Sequence, residues 1–362
     1  GAAIYRLDSL GAHNTRVISE LTDVQYVRSD SKGKGGLSVT NMMDICRGID
    51  VLKYFSGGHA VAIMKHAIVS GFAKETTKEA IAGQLFKLAR DADLRSNFGG
   101  TGVFTRPLDM QTAEAMYELR GENPFFVDVT AAPDYEEGVV GFLEKQSANL
   151  RIAQFSNIDK MPRFVGDETY GLLSIKELGQ GRFAVQELPL THIKSVDDMV
   201  LLPFVVKDGK RHGIRNAPTK EFYDDISTAW HLNAAGARSN GIVFVRDGVS
   251  QAIGAGQTER VGAVEQAIVK GIQKAMAREK IEYDPLMGIQ GWENLKNNPF
   301  EDSVMSSDAF FPFDDSIKTM ARVGVKVAVQ PYGSNRDHEV IDAANQHRIA
   351  MPATLERCFG HW

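Results

Sequence analysis

Apolar and polar positions alternate along the chain in blocks that switch between helical and strand periods. Met42, Ile45, Ile49, Val51 and Leu52 share one face of a helix over 40–54, capped by Thr40 or Asn41. His59–Met64, HAVAIM, predicts a short buried strand that stops at Lys65-His66. Ile81, Leu85, Leu88 and Ala89 mark a helix capped by Thr76 or Thr77, and Asp109–Leu119 predicts another. Asn123-Pro124 breaks into a strand at Phe125–Val129, which sets Asp128 in an apolar context where an acid needs a partner. A helix at Asp134–Lys145 and a strand at Leu150–Phe155 complete an alternation that argues for α/β layers, with a domain boundary near residue 160.

Residues 160–215 are less periodic and read as a connecting region, with strands near 171–175, 182–186 and 201–206. After Pro218-Thr219 a helix carries Phe222, Ile226, Ala229, Trp230 and Ala234. Gly241–Arg246, the turn Asp247-Gly248 and Val249–Ile253 form the clearest hairpin. Gly254-Ala255-Gly256-Gln257 then leads into a helix from Thr258 with Val261, Val264, Ile268, Ile272 and Ala275 inward. Residues 281–305 read as a surface excursion. Ser306–Asp315, SSDAFFPFDD, breaks the pattern, because three phenylalanines and a proline lie between acids and are expected to be exposed. A helix from Asp314 or Asp315, a strand at Val325–Val329, a helix at Asp337–His347 and a strand at Ile349–Met351 close the chain as a βαβ unit.

The 362-residue length favours two compact units, 1–160 and 161–362, over a single core. Lys plus Arg number 41 against 46 for Asp plus Glu, and the resulting formal charge of -5 works against broad contact with nucleic acid or anionic lipid. No apolar run reaches the roughly 20 residues that span a bilayer, and no secretory signal is read at the N-terminus, so a cytoplasmic protein without membrane partners is expected. With Cys46 and Cys358 alone, a Cys-rich zinc site is excluded by count.

Candidate chemistry follows from placement. Lys65-His66 lies at the carboxyl end of a buried strand, where open α/β sheets carry ligands, although such a pair is more often a solvated loop. The loop Asn97–Gly102 would let backbone approach a ligand or simply turn. Arg260 sits in the first turn of its helix, where the dipole disfavours a cation unless it and the free N–H groups share an anion. A phosphate or carboxylate ligand would meet that condition, and an ordinary helix start is the competing reading.

Taken together, SSDAFFPFDD, SNGIVFVRDG, IGAGQTER and the ending Arg357-Cys358-Phe359-Gly360-His361 resemble the AICAR transformylase domain of the bifunctional purine-biosynthesis family. Lys65-His66 before Gly71, Phe98-Gly99, and Asp128 before Ala132-Pro133 match the same family in the first half. The resemblance implies two tandem cytidine-deaminase-like three-layer αβα units without zinc. It implies transfer of a formyl group from 10-formyltetrahydrofolate to AICAR, by a homodimer with sites at the subunit interface. Lys65 and His66 would be the catalytic pair and Asn240 would hold the reacting groups. Arg260 and Arg357 would hold the nucleotide, with Gly99, Asp128, Gln257 and Phe310 as further substrate contacts. Phe98, Pro312, Phe313 and Asp315 would line the folate pocket. The chain departs from the family at Val69 (Pro there), Val129 (Gly) and Ala235 (Lys), and it begins just after the family's Tyr-Gly-x-Asn-Pro segment. The family's cyclohydrolase domain is not in this sequence, so ring closure is not expected of it.

Overall fold

The computed structural model describes residues 22–28, 36–76, 82–120, 123–124, 126–169 and 172–360. The principal elements of the first half are β1 (Gln25–Tyr26), α1 (Val39–Leu52), β2 (Ala60–Lys65), β3 (Ile68–Lys74), α2 (Ala82–Ala92), β4 (Thr101–Phe104), α3 (Met110–Met116), β5 (Val129–Ala132), α4 (Val139–Gln146) and β6 (Arg151–Gln154). Two small hairpins follow, β7 (Ser174–Gly179) with β8 (Arg182–Gln186), and β9 (Phe204–Lys207) with β10 (Lys210–Gly213). The second half holds α5 (Tyr223–Gly236), β11 (Ile242–Arg246), β12 (Val249–Gly254), α6 (Arg260–Glu279), β13 (Val304–Ser307), α7 (Asp315–Arg322), β14 (Val327–Val329) and α8 (Asp337–Gln346).

Ten strands form one mixed sheet in the order β1-β6-β5-β4-β2-β3-β12-β11-β13-β14. The fold is α/β, and the same run of elements occurs twice: helix, antiparallel hairpin, helix, strand, helix, strand, helix. In each run the first hairpin strand pairs antiparallel with the strand after the next helix, and that strand pairs parallel with its successor. The halves meet where β12 lies antiparallel to β3, with Val249 opposite Ala73. A core cluster on one face takes residues from both sides of position 160, including Ile45, Phe72, Trp230 and Val243.

Local chemistry explains where the elements fall. Ser38 caps α1 by accepting the Asn41 N–H at 3.2 Å, while Asn41 Oδ1 accepts the Ser38 N–H at 3.1 Å, so the cap lies before the predicted Thr40 or Asn41. Asp109 caps α3 by accepting the Thr112 N–H at 2.7 Å. The second strand of each central hairpin carries a glycine where a helix crosses: a Cβ at Gly71 would collide with the Ala89 carbonyl, and one at Gly254 with the Ala263 carbonyl. Both helices, α2 and α6, thereby pack close to the sheet near the seam.

Several expectations are corrected. The stop at Lys65-His66 is a hairpin turn, and the following strand β3 was not anticipated because His66-Ala67 lacks the Asn-Gly or Asp-Gly signature of such turns. The strand expected at Phe125–Val129 begins only at Val129, so Asp128 precedes it in a half-buried loop. Residues 303–307 are not surface: β13 is buried on both sides, and Phe300 packs edge-on against Phe244 at 5.1 Å. Nor is SSDAFFPFDD uniformly exposed. Phe311 is wholly buried in the second-half core, a burial worth about 2–3 kcal/mol, because its N–H is fixed to Gln330 Oε1 at 3.0 Å beside β14. Thr77, Ile81 and Phe125 lie outside the described residues.

Candidate active site

Strand register brings the predicted residues to a single edge of the sheet. Met64 opposes Thr101, Thr101 opposes Val129, Ile242 opposes both Gly254 and Ser307, and Ser306 opposes Val329. Lys65-His66, the loops before β4 and β5, the entry to β11, and the exits of β12 and β13 therefore open on the same side.

In the first half, His66 and Ala67 form the two-residue turn between β2 and β3 with φ of 56° and 62°. Two non-glycine residues at positive φ are strained, and the turn points the His66 side chain to solvent. Asp44, reaching up from α1, holds it: Oδ1 accepts the Ala67 N–H at 2.7 Å and Oδ2 faces the Thr101 hydroxyl at 3.4 Å. Burial raises the Asp44 pKa, opposed by these hydrogen bonds and by the charges of His66 and Lys65. Asp44 was not singled out in the sequence, where it is one more polar residue in a helical period; only the hairpin puts it under the turn. Lys65 Nζ donates to the Phe98 carbonyl at 2.7 Å, which fixes the ammonium while leaving two of its hydrogens available. Phe98 stacks edge-on against Phe126 with ring centres 4.1 Å apart. Gly99, at φ 67°, donates its N–H to the Phe126 carbonyl, and Asp128 donates its own to the Gly100 carbonyl.

In the second half, Arg260 is buried, and its guanidinium pairs with the fully buried carboxylate of Asp308. It also donates to Asn240 Oδ1 at 2.7 Å and to the Ser307 hydroxyl at 3.2 Å. The anion expected beside Arg260 is thus supplied by the chain itself, which resolves the conflict with the helix dipole. Asn240 Nδ2 donates to the carbonyls of Gln257 and Thr258 at 2.9 and 3.2 Å, so Gln257 contributes its backbone here. Ser239 donates to the second Asp308 oxygen and accepts the Gly360 N–H at 3.1 Å, tying the C-terminal segment to the cluster.

Two cation–aromatic pairs lie at the same edge and include the predicted Arg357, Phe310 and Phe313, while Arg336 was not among the expected residues. The Arg357 guanidinium lies 4.8 Å from the Phe310 ring centre, and Arg336 lies 4.9 Å from that of Phe313. Phe313 is exposed and Pro312 half-buried. Asp315 accepts the Ser316 N–H at 2.6 Å at the start of α7, so its carboxylate is engaged within its own helix. Among the described residues, no group of three His, Cys, Asp or Glu side chains could hold a metal ion, and no helix is long and apolar enough to cross a membrane.

A doubly repeated α/β layer with ionisable and aromatic groups gathered at one sheet edge defines an enzyme-like domain. Residues 12–270 match the family model of the AICARFT/IMPCHase bienzyme, and the chain belongs to that family of enzymes. It is 31% identical over 325 residues to the bifunctional purine biosynthesis protein PurH of Persephonella marina, covering 90% of this chain and 52% of that one. It is 31% identical over 330 residues to the PurH protein of Rhodopirellula baltica, again 90% of this chain and 52% of that one. The PurH protein of Caldicellulosiruptor saccharolyticus is 32% identical over 325 residues, with the same two shares. The chain spans about half the length of the relatives it matches.

Proposed function

We propose that this chain is an enzyme of purine biosynthesis and carries the formyl-transfer activity, moving a formyl group from 10-formyltetrahydrofolate to the amine of AICAR. The observation that carries the reading is the convergence of Lys65-His66, the Asn240–Arg260 cluster and the Phe310–Arg357 pair on one sheet edge. The acceptor amine is conjugated into an imidazole carboxamide and is a weak nucleophile, so its attack needs a base. His66 accepts the amine proton as nitrogen attacks the formyl carbon. Lys65, held by the Phe98 carbonyl, stabilises the oxyanion that forms on the formyl oxygen. The carbon–nitrogen bond to the folate then breaks, and the leaving nitrogen takes a proton from the Lys65-His66 pair.

Asn240 positions the reacting groups, while Arg260, Arg357, Gly99, Asp128, Gln257 and Phe310 contact the nucleotide. Phe98, Pro312, Phe313 and Asp315 flank the folate; a flat pterin suits aromatic walls with few polar groups. A cytoplasmic homodimer with sites completed at the subunit interface is part of the proposal. In a steady-state assay with AICAR and 10-formyltetrahydrofolate, His66→Ala should lower kcat by about 10²–10⁴-fold, the usual contribution of a positioned acid–base group. Unchanged turnover in that variant would remove the proposed base.

A second reading, nucleotide binding without transfer, is favoured by Ala235, a small residue on α5 where the resembling family carries a lysine. AICAR binding by calorimetry with no turnover would select it.

A further inference from the structure

Arg357 reaches the candidate site without a polar anchor of its own. Its guanidinium lies 4.8 Å from the Phe310 ring centre and 5.8 Å from that of Phe359, and among the described residues it faces no carboxylate and makes no hydrogen bond. An exposed arginine held only by ring faces keeps much of its rotamer freedom, so its place is set by the backbone on either side. On one side the Cys358 N–H donates to the Asp308 carbonyl at 3.1 Å. On the other stands Glu356.

The Glu356 carboxylate crosses to the connecting region and accepts from three groups there: the Thr191 hydroxyl, the His192 N–H at 3.0 Å and the His192 Nδ1–H at 2.8 Å. Thr191 cannot turn elsewhere, because its oxygen already accepts the Trp230 Nε1–H at 3.0 Å and the Ile193 N–H at 3.1 Å and has only its proton left to give. Trp230 is wholly buried in the core. A continuous polar chain therefore runs from that core through Thr191 and Glu356 to the residue beside Arg357. The two segments are joined a second time where Val200 and Ala353 exchange N–H···O=C bonds of 2.9 Å. Between the joins Leu355 turns at φ 58°, and the Thr354 hydroxyl closes the turn on the Glu356 carbonyl at 2.9 Å.

We propose that Glu356 is a positioning residue: its clamp on Thr191-His192 fixes the turn that delivers Arg357 to Phe310, and so presets the guanidinium for the anionic nucleotide. The clamp is independent of the reaction; its use rests on the formyl-transfer reading, in which Arg357 contacts the nucleotide. Presetting of this kind lowers the entropic cost of binding and leaves the chemical step alone.

Two readouts separate the clamp from its use. In NMR of the full chain, the Arg357 Nε–H resonance, assigned by its loss in R357K, should be displaced by the Phe310 ring and should move toward the position of a free arginine in E356A. The His192 side chain is 71% exposed, so H192A leaves the core intact and should move the same resonance in the same direction by less. A resonance unmoved in both variants overturns the proposal. In steady-state kinetics E356A should raise KM for AICAR about tenfold with kcat within about twofold, and adding E356A to R357A should raise KM no further. A fall in kcat with KM unchanged, or a KM effect that persists in the R357A background, makes Glu356 a general structural residue and also overturns it. If the resonance moves while R357A itself leaves KM unchanged, the clamp stands and Arg357 loses its assignment to the nucleotide. A wild type without turnover refutes formyl transfer, and AICAR affinity by calorimetry then replaces KM in the same comparison.

Discussion

The two halves of the sheet carry the same hairpin in opposite directions. β2–β3 turns at the candidate site through His66-Ala67, and β11–β12 turns at the far edge through Asp247-Gly248. Both turns have two residues at positive φ, and each is held by an aspartate from the preceding helix. Asp225 accepts the N–H groups of Asp247 and Gly248, each at 2.8 Å, whereas Asp44 accepts only that of Ala67. The far turn uses the residues that tolerate this backbone best. Its counterpart at the site does not, and the strain places an imidazole at the tip beside Lys65. Greater strain at the His66-Ala67 turn than at the Asp247-Gly248 turn fits the proposal that Lys65-His66 is the reacting pair.

The largest test breaks the second half's share of the edge. Arg260→Leu leaves the Asp308 carboxylate buried without its partner, and loss of about 3–5 kcal/mol is expected in denaturant unfolding. A loss under about 1 kcal/mol would mean that the pair is solvated and that Asp308 does not hold Arg260 in place at the edge. The junction of α1 and α5 offers a pH test of nearly the same size. His231 is buried, stacks on Tyr54 at 4.7 Å and faces the Ile193 carbonyl at 2.9 Å; burial lowers its pKa from 6.5 to about 4. The unfolded chain binds a proton near 6.5 and the folded chain only near 4, so this contribution is complete above 6.5 and is lost as pH falls toward 4. About 3 kcal/mol should disappear over that window, and His231→Gln should flatten the slope.

Removing the two aspartates compares the turns directly. Asp225→Ala unpairs two backbone N–H groups and should cost about 1–3 kcal/mol of stability with little effect on turnover. Asp44→Ala unpairs one, should cost less, and should lower kcat by displacing His66. Equal effects on both properties would mean that the turns are interchangeable.

Much of this was legible in the sequence, for reasons that individual residues make plain. The α/β alternation and the 241–253 hairpin followed from period and from Asp-Gly. Family-specific residues such as Lys65, Asn240, Arg260 and Arg357 could be placed at one edge only once strand register was known. What stayed hidden depended on tertiary pairing. β3 was missed because its turn breaks the usual residue rule, β13 because Val304–Ser307 is only four residues long and ends in two buried serines, and Asp308 because its role exists only opposite Arg260.

The smallest effect bears most directly on the strain. Ala67→Gly removes the Cβ that disfavours φ 62° while keeping the N–H that Asp44 accepts and the His66 side chain itself. If the turn is held against its preference, this variant should gain up to about 1 kcal/mol, the scale of one strained residue less the added freedom of glycine in the unfolded chain. The equivalent far position already has glycine, and Gly248→Ala should lose stability, because its Cβ would also press on Thr76 at 2.7 Å. Opposite signs at the two positions would locate the strain at the site turn. A kcat that falls in Ala67→Gly while stability rises would show that rigidity of the turn, and not only its shape, serves His66. A loss of stability in Ala67→Gly would mean that the turn is relaxed, and the contrast between the two hairpins would then be one of composition alone.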